Sequence, residues 1–80
     1  MNEFLQDDAW HVLDQYRNGV VTDPYTALDI HRLFAHELML NGLATLEECR
    51  ETERALVVAL NLVTNGRAAQ PVNTTLSKEV

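Results

Sequence analysis

Cysteine is nearly absent from this chain. Cys49 is its one thiol, which excludes an internal disulfide and fits a reducing compartment. A basic surplus is missing too: six Lys and Arg stand against twelve Asp and Glu, a formal charge of −6. Proteins that grip a phosphate backbone carry the opposite balance, so direct nucleic-acid binding is disfavoured. No apolar run approaches the roughly 20 residues of a membrane-spanning helix. The opening residues, MNEFLQDD, carry acids where a secretory leader carries Lys or Arg, and no apolar segment follows them. These absences together predict a cytoplasmic protein. No glycine-rich phosphate loop, nucleophile elbow, HExxH, CxxC or EF-hand pattern occurs, so neither an enzyme nor a bound cofactor is expected.

Eighty residues make one domain at most. A chain this short buries only about 60% of the surface its unfolded form exposes, which leaves a thin margin of stability. Such domains are commonly supplemented by a disulfide, a metal or oligomerisation. The acidity itself is explained first by solubility. In part it also serves helix starts, where Asp23, Glu47, Glu48 and Glu51 complement helix dipoles. Glu3, Asp7, Asp8 and Asp14 are less well explained that way and suggest a small acidic surface for a basic partner.

What is present reads as helix. The fold class predicted is all-α: a three-helix bundle over 1–66 with short loops, followed by a flexible tail over 67–80. The first helix spans about 2–18. Asn2 caps it, Asn18-Gly19 stops it, and Leu5, Ala9, Val12, Leu13 and Tyr16 form its apolar face. The second spans about 23–41, with Asp23 as N-cap, Pro24 at the first helical position and Asn41-Gly42-Leu43 as a Schellman stop. The third spans about 45–64. Thr45 and Glu48 form a capping box, and a third such dipeptide, Asn65-Gly66, is read as its stop. The last stretch, RAAQPVNTTLSKEV, has no period and is read as tail.

The second helix holds the residues that most resemble chemistry. Ala27, Ile30, Phe34 and Leu38 make its central apolar stripe, widened by Leu28, Ala35 and Met39 on one side and by Leu33 and Leu40 on the other. A surface helix needs a stripe somewhat over 100° wide, and this one is far wider. The helix is therefore expected at the centre of the fold, covered on two sides. Asp29, Arg32 and His36 form its polar strip, at the spacing of a surface ion pair with a histidine. His31 is expected to be partly buried. Glu37 lies among apolar neighbours, either as a boundary residue or paired with Arg50 or Arg54. A metal site needs three or four ligands in compatible geometry. His31 and His36 point about 140° apart, at about 100° per residue, and His11 with Asp14 lies on another helix, so no metal is expected.

The third helix holds more apolar surface than a three-helix core uses. Leu56, Leu60 and Val63, with Cys49 as a small hydrophobe, give one inward face. Ala55, Val58 and Leu62 give a second, over 100° away. An uncovered patch of several hundred Å² is unusual on a monomer. The function expected is a small acidic protein-interaction module: a regulator, adaptor or inhibitor that occupies a partner's surface. Compact acidic helical proteins of this kind are common among accessory and mobile-element products. Trp10, off the first helix's apolar face, is the expected partner-binding anchor, with Arg32 and His36 beside it. Ala55, Val58 and Leu62, extended by Leu28 and Met39, are the expected self-association face of a homodimer. The alternative is a nucleic-acid regulator. As a helix-turn-helix the chain would present acids to phosphates; as a nucleic-acid mimic it would need a denser row of carboxylates.

Overall fold

The computed structural model describes residues 2–69. It comprises α1 (Glu3–Arg17), α2 (Pro24–Leu40) and α3 (Leu46–Ala69). Side-chain ties fix the directions. Asn2 reaches Glu48 and Tyr16 reaches Thr64, so α1 and α3 run parallel, with α2 antiparallel to both. The three-helix architecture is the one predicted, and each helix packs on both of the others.

The caps act as their sequences dictate. Asn2 Oδ1 accepts from the Phe4 and Leu5 amides at 3.0 and 3.2 Å. Its side-chain amide also donates to the Leu43 carbonyl at 2.8 Å, which ties the start of α1 to the α2–α3 turn. Asp23 accepts from the Tyr25 amide and the Thr26 hydroxyl. At the start of α3, Glu48 N–H donates to Thr45 Oγ1 at 3.1 Å and Thr45 N–H to Glu48 Oε1 at 2.9 Å, a reciprocal capping box. Gly42 has φ +71°. The Leu43 amide closes on the Leu38 carbonyl and the Gly42 amide on Met39, the two bonds of a Schellman stop. Asn18-Gly19 ends α1 the same way.

The third Asn-Gly does not stop its helix, and the expected end near residue 64 is corrected. α3 runs through Asn65 and Gly66 to Ala69. The cause is tertiary. The Arg67 guanidinium donates to the Tyr16 and Arg17 carbonyls at 2.6 and 3.0 Å, capping the end of α1, and lies 4.5 Å from the centre of the Tyr16 ring. That anchor holds one more turn of helix than the local signal allows. The expected tail boundary therefore moves: 67–69 belong to α3, and the rest of the expected tail lies outside the described residues.

The core divides into two apolar clusters. One gathers Val12, Leu13, Tyr16, Ala27, Leu56 and Leu60; the other Leu5, Ala35 and Leu38, with Ala44 and Cys49 packed against it. Between them, by position along each helix, lie the two buried polar residues, His31 and Thr52. The buried stripe of α2 is Ala27, His31, Ala35 and Leu38. The expected stripe through Ile30 and Phe34 is thus turned by about one residue. Ile30 and Phe34 are 38% and 37% exposed, and Leu33 and Leu40 are mostly exposed, so α2 is not covered on two sides. The turn is explained by what the inward positions gain. His31 finds an acid on α1, and Ala35 is small enough to let Cys49 of α3 approach, its thiol 3.7 Å from the Ala35 carbonyl.

Candidate functional site

Two polar ties set α2 against its neighbours. His31, fully buried and not partly so, lies with Nδ1 2.8 Å from Asp8 Oδ2. Asp8 is then the acceptor, and the ring donates from Nδ1. Nε2 is buried without a hydrogen-bond partner among the described residues. On the other flank Arg32 makes a two-pronged pair with Glu53, Nε to Oε1 and Nη2 to Oε2, both 3.0 Å, with Asp29 at 3.6 Å. That bond holds the Glu53 carboxyl below the usual carboxylate range. The amide of Thr45 and the side chain of Asn2 do the same for Glu48. Burial pushes the Cys49 thiol up, which suits a packing residue better than a nucleophile.

Arg32, an expected partner-binding residue, is thus engaged within its own chain, and His36 is exposed on α2. Glu37 is exposed and pairs with neither Arg50 nor Arg54 among the described residues. The expected acidic surface on α1 thins as well: Asp8 turns to His31 and Asp14 lies 3.7 Å from Arg17.

The α1–α3 side differs. Ala9, Trp10 and Leu13 of α1 and Ala55, Leu56 and Ala59 of α3 line an open apolar groove of about 200 Å³, with Gln6 and Thr52 as its polar members. Alanines on α3 open it; a larger side chain at 55 or 59 would fill it. Trp10, 56% exposed, overhangs it from α1. Val58 and Leu62 are 59% and 67% exposed and lie within about 60° of Ala55 around α3, at about 100° per residue. They are not among the groove's lining residues and sit outward of it on α3. Of the expected residues, Trp10 and Ala55 line the groove together, while Val58 and Leu62 lie on the exposed strip of α3 next to Ala55. Leu28 and Met39 belong to neither. They are half-buried and flank Arg32, whose partner Glu53 is about 140–180° around α3 from the Val58 strip.

Among the described residues no three His, Cys, Asp or Glu side chains are placed to hold a metal ion. Among the described residues no helix is long and apolar enough to cross a membrane. The described residues thus form a three-helix bundle with a buried polar layer and an apolar groove edged by tryptophan. No protein-family model, curated protein or solved structure matches the chain at a significant level.

Proposed function

We propose that this chain is a protein-interaction module, a regulator, adaptor or inhibitor that acts in the cytoplasm by binding protein through the α1–α3 groove and without catalysis. One observation carries the reading: Trp10, more than half exposed, edges an apolar groove lined by Leu13 and Leu56 and by three alanines, Ala9, Ala55 and Ala59. Tryptophan is enriched among the few residues that dominate interface energies. An apolar groove between two helices is a common seat for a third helix or for projecting side chains. Self-association as a homodimer belongs to the same reading, because Val58 and Leu62 continue the surface.

The test is Trp10→Ala. Affinity capture from the cells that make the protein, with the wild type beside the variant, should yield a protein that the variant no longer retains. The variant's melting temperature should be unchanged within about 3 °C, since a shift of 4–8 °C corresponds to about 1 kcal/mol in a domain of this size. Capture that is identical for the two chains sinks the groove as the binding surface.

A further inference from the structure

We infer that the occupant of the groove is a second copy of this chain, with its α3 lying antiparallel across the first and Val58 on the two-fold axis. The inference rests on the groove being a protein-binding surface, and it names the partner. The outer strip of α3 reads Glu51, Ala55, Val58, Leu62, Asn65, spaced four, three, four, three. That is the spacing of a coiled-coil seam. With Val58 beside its own copy, antiparallel packing sets Ala55 against the second copy's Leu62 and Glu51 against its Asn65. Each Leu62, two-thirds exposed, then projects onto the other chain's Ala55, into the edge of the hollow that this alanine leaves in the groove. The hollow and the projection belong to one helix about two turns apart, so one two-fold operation satisfies both. This is the self-complementarity that a two-fold interface requires.

Charge selects the direction. The first part of α3 carries Glu47, Glu48, Arg50, Glu51, Glu53 and Arg54, while residues 55–66 carry no charge. Antiparallel packing sets the charged part of each helix against the uncharged part of the other. Parallel packing would set Glu51 beside Glu51 and Glu47 beside Glu47, which is destabilising. Area limits the strength. Trp10, Val58 and Leu62 each expose on the order of 100 Å² of apolar surface. With the alanines and the stems of Gln6 and Arg54 the strip offers about 500–600 Å² per chain, against roughly 800 Å² per partner in a standard interface. The dimer is therefore a weak one, formed at micromolar concentration. Two chains of net charge −6 repel each other, and salt screens that repulsion over a Debye length of about 8 Å, so dimerisation strengthens as salt is added.

Sedimentation of the full chain at about 10–100 μM is the experiment, with concentrations spanning the range expected of so small an interface. The expected species has twice the 9.1 kDa chain mass and grows with concentration and with salt. Leu62→Asp and Val58→Asp, both at exposed positions, should return the single-chain species with the helical circular dichroism spectrum intact. In a Cys49→Ala background, mixing Ala55→Cys with Leu62→Cys chains should give the mixed disulfide in excess over either homodisulfide. A single chain throughout that range, a dimer that survives both aspartates, or an excess of the Ala55→Cys homodisulfide overturns the inference. Each failure is distinct from failure of the groove reading. A single chain that still captures a protein in a Trp10-dependent way leaves that reading standing; one that does not sinks both.

Discussion

Asp8→Ala perturbs the buried layer at its most sensitive point. The Asp8 carboxylate accepts from His31 Nδ1 at 2.8 Å, and the ring is wholly buried with Nε2 already without a partner. Truncation leaves a buried N–H unpaired, at a cost of about 1–3 kcal/mol. In a domain of this length that lowers the melting temperature by roughly 5–20 °C. The lower end applies if the side chain's small opening to solvent, 16% for Asp8, lets water reach the ring in the variant. Asp8→Asn keeps an acceptor oxygen and should lose less than about 1 kcal/mol, near the net worth of a neutral hydrogen bond. His31→Leu placed on Asp8→Ala replaces the orphaned ring with an apolar group, and should recover at least half of the loss. Thermal and urea denaturation followed by circular dichroism at neutral pH give the three numbers. An Asp8→Ala cost under about 0.5 kcal/mol, the range of an ordinary surface substitution, would show that the buried ring does not depend on Asp8. The reasoning is equally refuted if His31→Leu deepens the loss, because the pair would then not act as a unit.

Acid should weaken the fold through Glu53 and Glu48. Both carboxyls are held below the ordinary glutamate value of 4.5, so their stabilisation is complete above that pH and is lost as pH falls through the lower folded values. Glu53→Gln should flatten the fall in urea midpoint below about pH 4.5; an unchanged acid limb would show that the Arg32 pair contributes nothing measurable, as for many exposed pairs. Two of the Asn-Gly sites should respond with opposite signs to alanine. Gly66 sits inside α3 with open space around a Cβ, so Gly66→Ala should stabilise by about 0.5–1 kcal/mol, whereas Gly42→Ala, at φ +71°, should destabilise by about 1 kcal/mol or more. Destabilisation by Gly66→Ala would mean that α3 stops where its local signal says.

The features legible in the sequence are those whose cause lies within four or five residues. Asn2, Asp23, the Thr45–Glu48 box and the Schellman stop at Asn41-Gly42-Leu43 all bond groups close in the chain, and each is where local chemistry puts it. The misreadings all concern partners far apart. His31 and Asp8 are 23 residues apart, Arg32 and Glu53 are 21, and Arg67 reaches 51 residues back to Tyr16. Hydropathy ranks Ile30 and Phe34 above His31 for an inward place, and nothing local reveals that an acid waits across the interface. A signal was nevertheless present. Asp8 follows Leu5 by three residues and precedes Val12 by four, which is the spacing of the apolar stripe itself. Glu53 stands between Cys49 and Leu56 in the same way. An acid embedded in an inward stripe asks for a base on the facing helix, and α2 offers His31 and Arg32 as neighbours. The groove was legible as two halves, Trp10 and the Ala55–Leu62 strip, because each is a helix-face pattern. Their junction depends on the lateral placement of α1 on α3, which no local rule supplies.

That placement is what the polar layer helps to secure. A slide of α2 by one turn, about 5.4 Å, shifts the small residues Ala27 and Ala35 of its buried stripe. The same slide carries His31 off Asp8 and Arg32 off Glu53 together. It leaves a buried ring with no partner at either nitrogen and two separated charges. Apolar burial holds α2 in the bundle, and the His31–Asp8 and Arg32–Glu53 ties help to hold it at one level. Because α2 contacts both α1 and α3 at that level, it adds to the direct Asn2–Glu48, Tyr16–Thr64 and Arg67–Tyr16 ties that set the height of Trp10 against Ala55 and Ala59. An error of one turn in α1, about 5.4 Å, would carry the tryptophan away from Ala55 and Ala59. Replacing buried polar groups by apolar ones of the same volume is often neutral or stabilising. In this chain the polar layer instead adds to the register on which the shape of the groove depends.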